Sequence, residues 1–144
     1  IVYDKQTNET KKLINFFEKL GSIVEIVNTE YHDKILAITS HLPHLIAYTI
    51  VGTASDLETD LKNDVIKFSA SGFRDFTRIA SSDPIMWRDV FLNNSDAVLE
   101  MLQRFNEDLS DLQKAIRKKD GDKLHSFFSR TRLIRKKIID AGQI

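Results

Sequence analysis

The sequence predicts an all-α domain entered through a short segment of α/β character, and three observations carry this. Glycine (5) and proline (2) are scarce among 144 residues, so turns are few and helix should dominate. Apolar residues in the last third recur in steps of three and four. The stretch from Glu30 to Thr53 is apolar nearly all round, as a buried central helix is.

Thr7-Asn8-Glu9 opens a first helix whose apolar face is Leu13, Phe16, Phe17 and Leu20, and Gly21 closes it. Ile23 to Val27, compact and β-branched, predicts a short strand. Helix, glycine, strand is the tail of an α/β unit, and one strand cannot make a sheet alone. Residues 1–28 therefore read as the end of a domain whose other strands lie elsewhere, and residues 29–144 as the helical domain. The start at Ile1, without Met or a signal-peptide pattern, is read as the start of a piece of a longer protein.

The central apolar helix carries Ile35, Leu36, Ile38, Leu42, Leu45, Ile46 and Ile50, with a kink expected at Pro43. A further helix is expected over residues 58–68, closed by Ser69-Ala70-Ser71-Gly72, then a short one over Phe73–Ala80. Ser82 or Asp83 should cap the next helix, with Pro84 in its first turn. Val98, Leu102, Phe105, Leu109, Leu112 and Ile116 form a heptad stripe. Asp120-Gly121-Asp122 turns the chain, Asp122 being a candidate cap. Leu124, Phe127, Phe128, Thr131, Ile134, Ile138 and Ala141 then make a matching stripe. A long antiparallel helical hairpin is the expected result.

Composition narrows the function. Lys+Arg and Asp+Glu balance at 21 each, leaving no basic field for nucleic acid or an anionic membrane. Without cysteine there are no disulfides, thiolate metal sites or thiol nucleophiles, which fits a reducing cytoplasm. No apolar run is expected to cross a bilayer. A glycine-rich phosphate loop and a nucleophile elbow are both missing, so no cofactor-binding residue is expected in this chain. The basic end (Arg130, Arg132, Arg135, Lys136, Lys137) reads as a solvated helix face whose cations suit the helix C-terminus.

Two clusters carry chemistry. In Ser40-His41-Leu42-Pro43-His44, the histidines three apart share a helix face. A metal would need a third ligand, and none is evident, so no metal is expected. The plainer reading is core histidines satisfied by hydrogen bonds. Pro43 frees a backbone carbonyl, for which Ser40 and the imidazoles are candidate partners when they do not face a ligand. In the second cluster, Gly72-Phe73-Arg74-Asp75-Phe76-Thr77-Arg78-Ile79-Ala80, Arg78 stands among apolar neighbours and should need a carboxylate. Asp75, Asp83 or Asp89 could pair with it structurally. Alternatively it is a fork for a substrate carboxylate, a contact worth about 1.5–3 kcal/mol. The sequence leaves both open.

Together the two clusters resemble the prephenate/arogenate (cyclohexadienyl) dehydrogenase family. The likeness starts at His32-Asp33 and runs through Ile38-Thr39-Ser40-His41-Leu42-Pro43-His44 and Gly72–Ala80. It ends with Ser82-Asp83-Pro84-Ile85-Met86-Trp87-Arg88-Asp89 and Asn93. It covers nearly all of residues 30–144, and residues 1–28 look like the end of that family's Rossmann-type domain. Ser71, where a glycine is expected, departs from the pattern. The resemblance implies homodimers, with substrate in a cleft between an N-terminal nucleotide-binding domain and this helical domain. It implies oxidative decarboxylation of prephenate or arogenate, with hydride passing to NAD or NADP, in tyrosine biosynthesis; tyrosine, which resembles the substrate, is a candidate feedback ligand. Arg78 matches the arginine that binds a substrate carboxylate, and His44 a histidine lining the cleft, with Ser40 and His41 close by. Arg74 and Asp75 match a charged pair near the site, and Trp87 a packing position. The family's hydroxyl-polarising histidine and glycine-rich fingerprint lie outside this chain. The chain alone is therefore expected to be inactive, with no catalytic residue of its own. The alternatives are a non-catalytic dimerisation module and a small-molecule sensor. The histidines and Arg78 speak against the first, and the α/β tail against the second.

Overall fold

The computed structural model describes residues 7–57, 63–65 and 67–142. Seven helices are placed among them: α1 (Asn8–Lys19), α2 (Thr29–Leu36), α3 (Leu42–Ser55), α4 (Ser71–Ala80), α5 (Pro84–Asn93), α6 (Ser95–Lys118) and α7 (Gly121–Asp140). A π-helical turn, Ala37–His41, joins α2 to α3. The helix expected over residues 58–68 lies largely outside the described residues; 63–65 and 67 are helical. The chain forms two compact units, residues 1–101 and 102–144.

Local chemistry sets the helix ends. Thr7 and Thr10 make a reciprocal capping box at the start of α1. At its end Gly21 takes φ +83, with Gly21 N bonded to Glu18 O at 3.0 Å and Ser22 N to Phe17 O at 3.0 Å. This is a Schellman closure, which a left-handed glycine permits. Asp83 caps α5 through Ile85 N (2.8 Å) and Met86 N (3.1 Å), with Pro84 in its first turn. At α7 the cap is Asp120, which accepts from Lys123 N at 2.9 Å, whereas Asp122 lies within the first turn. The tight turn before it puts Lys119 at φ 54.

Three expectations are corrected. Ile23–Val27 forms no strand; Val27 makes one isolated bridge. β-branched residues favour extension, but a strand exists only where a partner pairs with it. The kink expected at Pro43 takes the form of the preceding π turn. There Leu42 N reaches back five residues to Ala37 O, and Pro43, with no N–H to give, enters α3 just beyond. Contrary to the absence expected, Thr29–Ser55 is by length and composition apolar enough to cross a membrane. Its apolar surface also serves the first unit. Ala37, His41, Leu42 and Ala47 are buried, α3 packs on α4, and Tyr48 Oη donates to Ser82 O at 2.7 Å.

In the second unit Leu112, Leu124 and Phe127 are half-buried and Ala115 is buried. Leu109, Leu112, Ile116, Leu124 and Phe128 line a shared apolar groove, and Lys123 lies 4.0 Å from Asp111. The heptad stripes are only partly covered by the chain itself. Leu109 (52%), Ile116 (64%), Phe128 (55%), Ile134 (56%) and Ile138 (41%) remain exposed.

Candidate functional site

The π turn and the first turn of α3 carry the first cluster, and α5 supplies its wall. His41 is buried and His44 half-buried. Trp87, itself buried, lies between them: His44 stacks on the indole at 3.7 Å and 22°, while His41 meets it edge-on at 6.1 Å and 77°. Phe91, one turn along α5, extends the aromatic group at 5.6 Å from Trp87. Such ring pairs each add about 0.5–1.5 kcal/mol beyond the area they bury. Among the described residues the Trp87 indole Nε1–H is buried without a hydrogen-bond partner.

Each imidazole has a polar neighbour at its Nδ1. His44 Nδ1–H donates to Ser40 O at 2.9 Å, one carbonyl beyond those that Pro43 leaves without its N–H. Ser40 contributes its backbone carbonyl to the cluster. His41 Nδ1 lies 3.2 Å from the Asn94 side-chain nitrogen, which also donates to Asp33 O at 2.9 Å. Burial pushes the His41 pKa below its ordinary value; Asp33 opposes this, and His32 and His44 add to it. His32 Nδ1 lies 2.9 Å from Asp33 Oδ1 at the rim. No group of three metal-binding side chains occurs among the described residues.

The second cluster is carried by α4. Phe73, Phe76, Ile79 and Ala80 are half-buried, while Arg74, Asp75, Thr77 and Arg78 are exposed. This corrects the expectation of a buried Arg78, while the pairing with Asp75 offered as the structural alternative is present in exposed form. Its neighbours in sequence are apolar, but at helical spacing they lie on other faces. Arg78 is 72% exposed, and its Nε is 3.8 Å from Asp75 Oδ1 one turn back. An exposed pair of this length contributes roughly 0–1 kcal/mol and leaves the guanidinium able to exchange partners. Ser71 and Gly72 form the first turn of α4, where a Cβ on Gly72 would meet nothing within 4 Å. The packing of α4 on α3, with the Tyr48–Ser82 bond beyond its end, puts Arg78 and His44 on neighbouring helices.

Asn94 and Tyr48 escaped the sequence reading. Asn94 follows α5 as its C-cap, and an asparagine between two helices reads as a local cap. Its partners lie 53 and 61 residues away. Tyr48 sat unremarked within the apolar run, although a tyrosine in such a run needs a hydroxyl partner.

The five glycines, at 21, 52, 72, 121 and 142, are widely separated and form no dinucleotide fingerprint. The residues of this chain do not fit a nicotinamide dinucleotide.

The family model for the prephenate dehydrogenase dimerization domain matches residues 28–130. A cyclohexadienyl dehydrogenase of Zymomonas mobilis is 39% identical over 123 residues, covering 85% of this chain and 42% of the relative. The crystal structure of Aquifex aeolicus prephenate dehydrogenase, in complex with hydroxyphenyl propionate and NAD+, superposes with a TM-score of 0.85 at 34% identity. It covers 95% of this chain and 48% of that one. Synechocystis arogenate dehydrogenase shares the fold, with a TM-score of 0.82 at 24% identity over 92% of this chain and 48% of that one. The chain thus spans less than half the length of these relatives. The family-model match, over more than half of the chain, shows that the chain belongs to the prephenate dehydrogenase family, in the region of its dimerization domain.

Proposed function

We propose that the whole protein is a prephenate or arogenate dehydrogenase of tyrosine biosynthesis. In this reading the present chain holds the substrate's carboxylate and joins two copies into a homodimer. The observation that carries the reading is α4 packed on α3, the helix that carries His44. The apolar face of α4 packs inward, and its exposed face offers Arg78, with Arg74 and Asp75 one turn back. A guanidinium held only by a loose carboxylate contact can take a substrate carboxylate in its place. His44, Ser40 and His41 would line the same cleft, with Trp87 behind them.

Residues 1–28 would end a nucleotide-binding domain. The family match begins at residue 28, and α1 has no buried residue, exposing Leu13, Phe16, Phe17 and Leu20. NAD or NADP would be held by that domain, and no step of the chemistry is assigned to residues here. The Aquifex relative holds NAD+ and hydroxyphenyl propionate, a ring with a carboxylate tail. The exposed apolar faces of α6 and α7 suit a second copy of the chain. Tyrosine, which shares the ring and carboxylate, is the feedback ligand such a cleft would take. A biosynthetic role of this kind belongs in the cytoplasm and involves neither nucleic acid nor a membrane.

The test is NAD+ and NADP+ reduction by the full-length protein and by this chain, each with prephenate and with arogenate. Turnover by the full-length protein alone is expected. No turnover with either substrate would contradict the reading and favour a sensor or a dimerisation module.

A further inference from the structure

We propose that Asn94 is a positioning residue that fixes the hydrogen-bonding polarity of His41, with Nδ1 as acceptor and Nε2–H as donor, and so steadies the ring wall on which His44 stacks. The two ends of an asparagine amide are alike in shape, and the hydrogen-bond network tells them apart. Here Asp33 O settles the matter. A backbone carbonyl only accepts, so the group 2.9 Å from it must be the Asn94 NH2. The same nitrogen is 3.2 Å from His41 Nδ1, and its second N–H therefore meets that ring atom. His41 Nδ1 must then carry the lone pair, leaving its proton on Nε2.

One amide thus ties three elements: the carbonyl of Asp33 in α2, His41 in the π turn, and the α5–α6 junction. Adding a proton to His41 at Nδ1 would set two donors face to face. The charged and titratable groups around the ring act on it in both directions. Asp33 and His32 on α2 oppose each other, His44 on α3 disfavours a second charge, and burial disfavours any charge. The influence of Asn94 passes through His41 to Trp87, and from Trp87 to the stacked His44. Its reach to turnover rests on the dehydrogenase reading above; its effect on the imidazole does not.

The test uses the full-length protein, with Asn94→Asp and Asn94→Leu as variants. Nitrogen-15 imidazole spectra are followed between about pH 5 and 8, with free imidazole as reference. In the unaltered protein His41 should show the neutral Nε2–H pattern and stay neutral where a free imidazole is half-protonated. Asn94→Asp replaces the donor with an acceptor and should raise the His41 midpoint by about one unit or more. The pH profile of kcat/KM should gain that midpoint, whereas Asn94→Leu should not produce it. A purely structural Asn94 would lower stability in both variants and leave tautomer and midpoint unchanged. That result, or an Nδ1–H pattern at His41 in the unaltered protein, would overturn the proposal. So would a shifted midpoint that leaves the profile unmoved. If Asn94→Asp does not fold, the tautomer in the unaltered protein decides. If the unaltered protein has no activity, the dehydrogenase reading fails and the spectra alone decide the imidazole.

Discussion

The tryptophan in the first unit and the leucines of the second are comparable apolar investments with opposite fates. Trp87 keeps 7% of its surface, enclosed by His41, His44 and Phe91. Leu109 and Leu133 keep 52% and 63%. The first cluster is enclosed by its own chain, through four rings and the side-chain amide of Asn94. The long helices are not, and an exposed apolar stripe at heptad spacing is what a second chain covers. The first unit thus holds the enclosed ring cluster, and the second the open apolar stripe.

The largest expected effect tests the enclosed side. Trp87→Ala should cost about 3–5 kcal/mol, as removal of a buried tryptophan does, and lower the thermal midpoint of the full-length protein accordingly. A change below about 1 kcal/mol would mean that the ring cluster does not hold the first unit together. The next tests the open side. Leu109→Glu leaves an exposed position exposed in a monomer but puts a charge into a covered interface. It should raise the dimer dissociation constant by roughly a hundredfold or more while helix content is kept. An unchanged dimer on sedimentation would remove α6 at this position from the interface. Loss of the fold itself would show that Leu109 is enclosed by its own chain.

The same contrast separates what was legible in the sequence from what was not. Helix ends set by neighbouring residues were readable: Thr7, Gly21 and Asp83 act where their side chains or φ angles predict. Asp120 and Asp122 flank the same glycine, and only the helix start decides which one caps. The strand at Ile23–Val27 failed because a strand needs a pairing partner, which local composition does not supply. Arg78 was misread from its sequence neighbours, although the spacing of Phe73, Phe76 and Ile79 already turns it outward. Ala115 rather than Ile116 is buried, a difference of one residue, or about 100° around a helix. The histidine cluster was legible by residue type, whereas the His44 imidazole bonds Ser40 O and not a carbonyl that Pro43 frees. Asn94 was not found, because its role lies in contacts more than fifty residues away.

The central claim is that α4 presents an arginine for substrate rather than for the fold, and steady-state kinetics of Arg78→Ala in the full-length protein test it most directly. Because Arg78 is 72% exposed, stability and dimerisation should change by no more than about 0.5 kcal/mol. Loss of a charged hydrogen bond worth about 1.5–3 kcal/mol should raise KM roughly ten- to a hundredfold. A variant that unfolds while its soluble fraction keeps an unchanged KM would contradict the account and make Arg78 a structural residue.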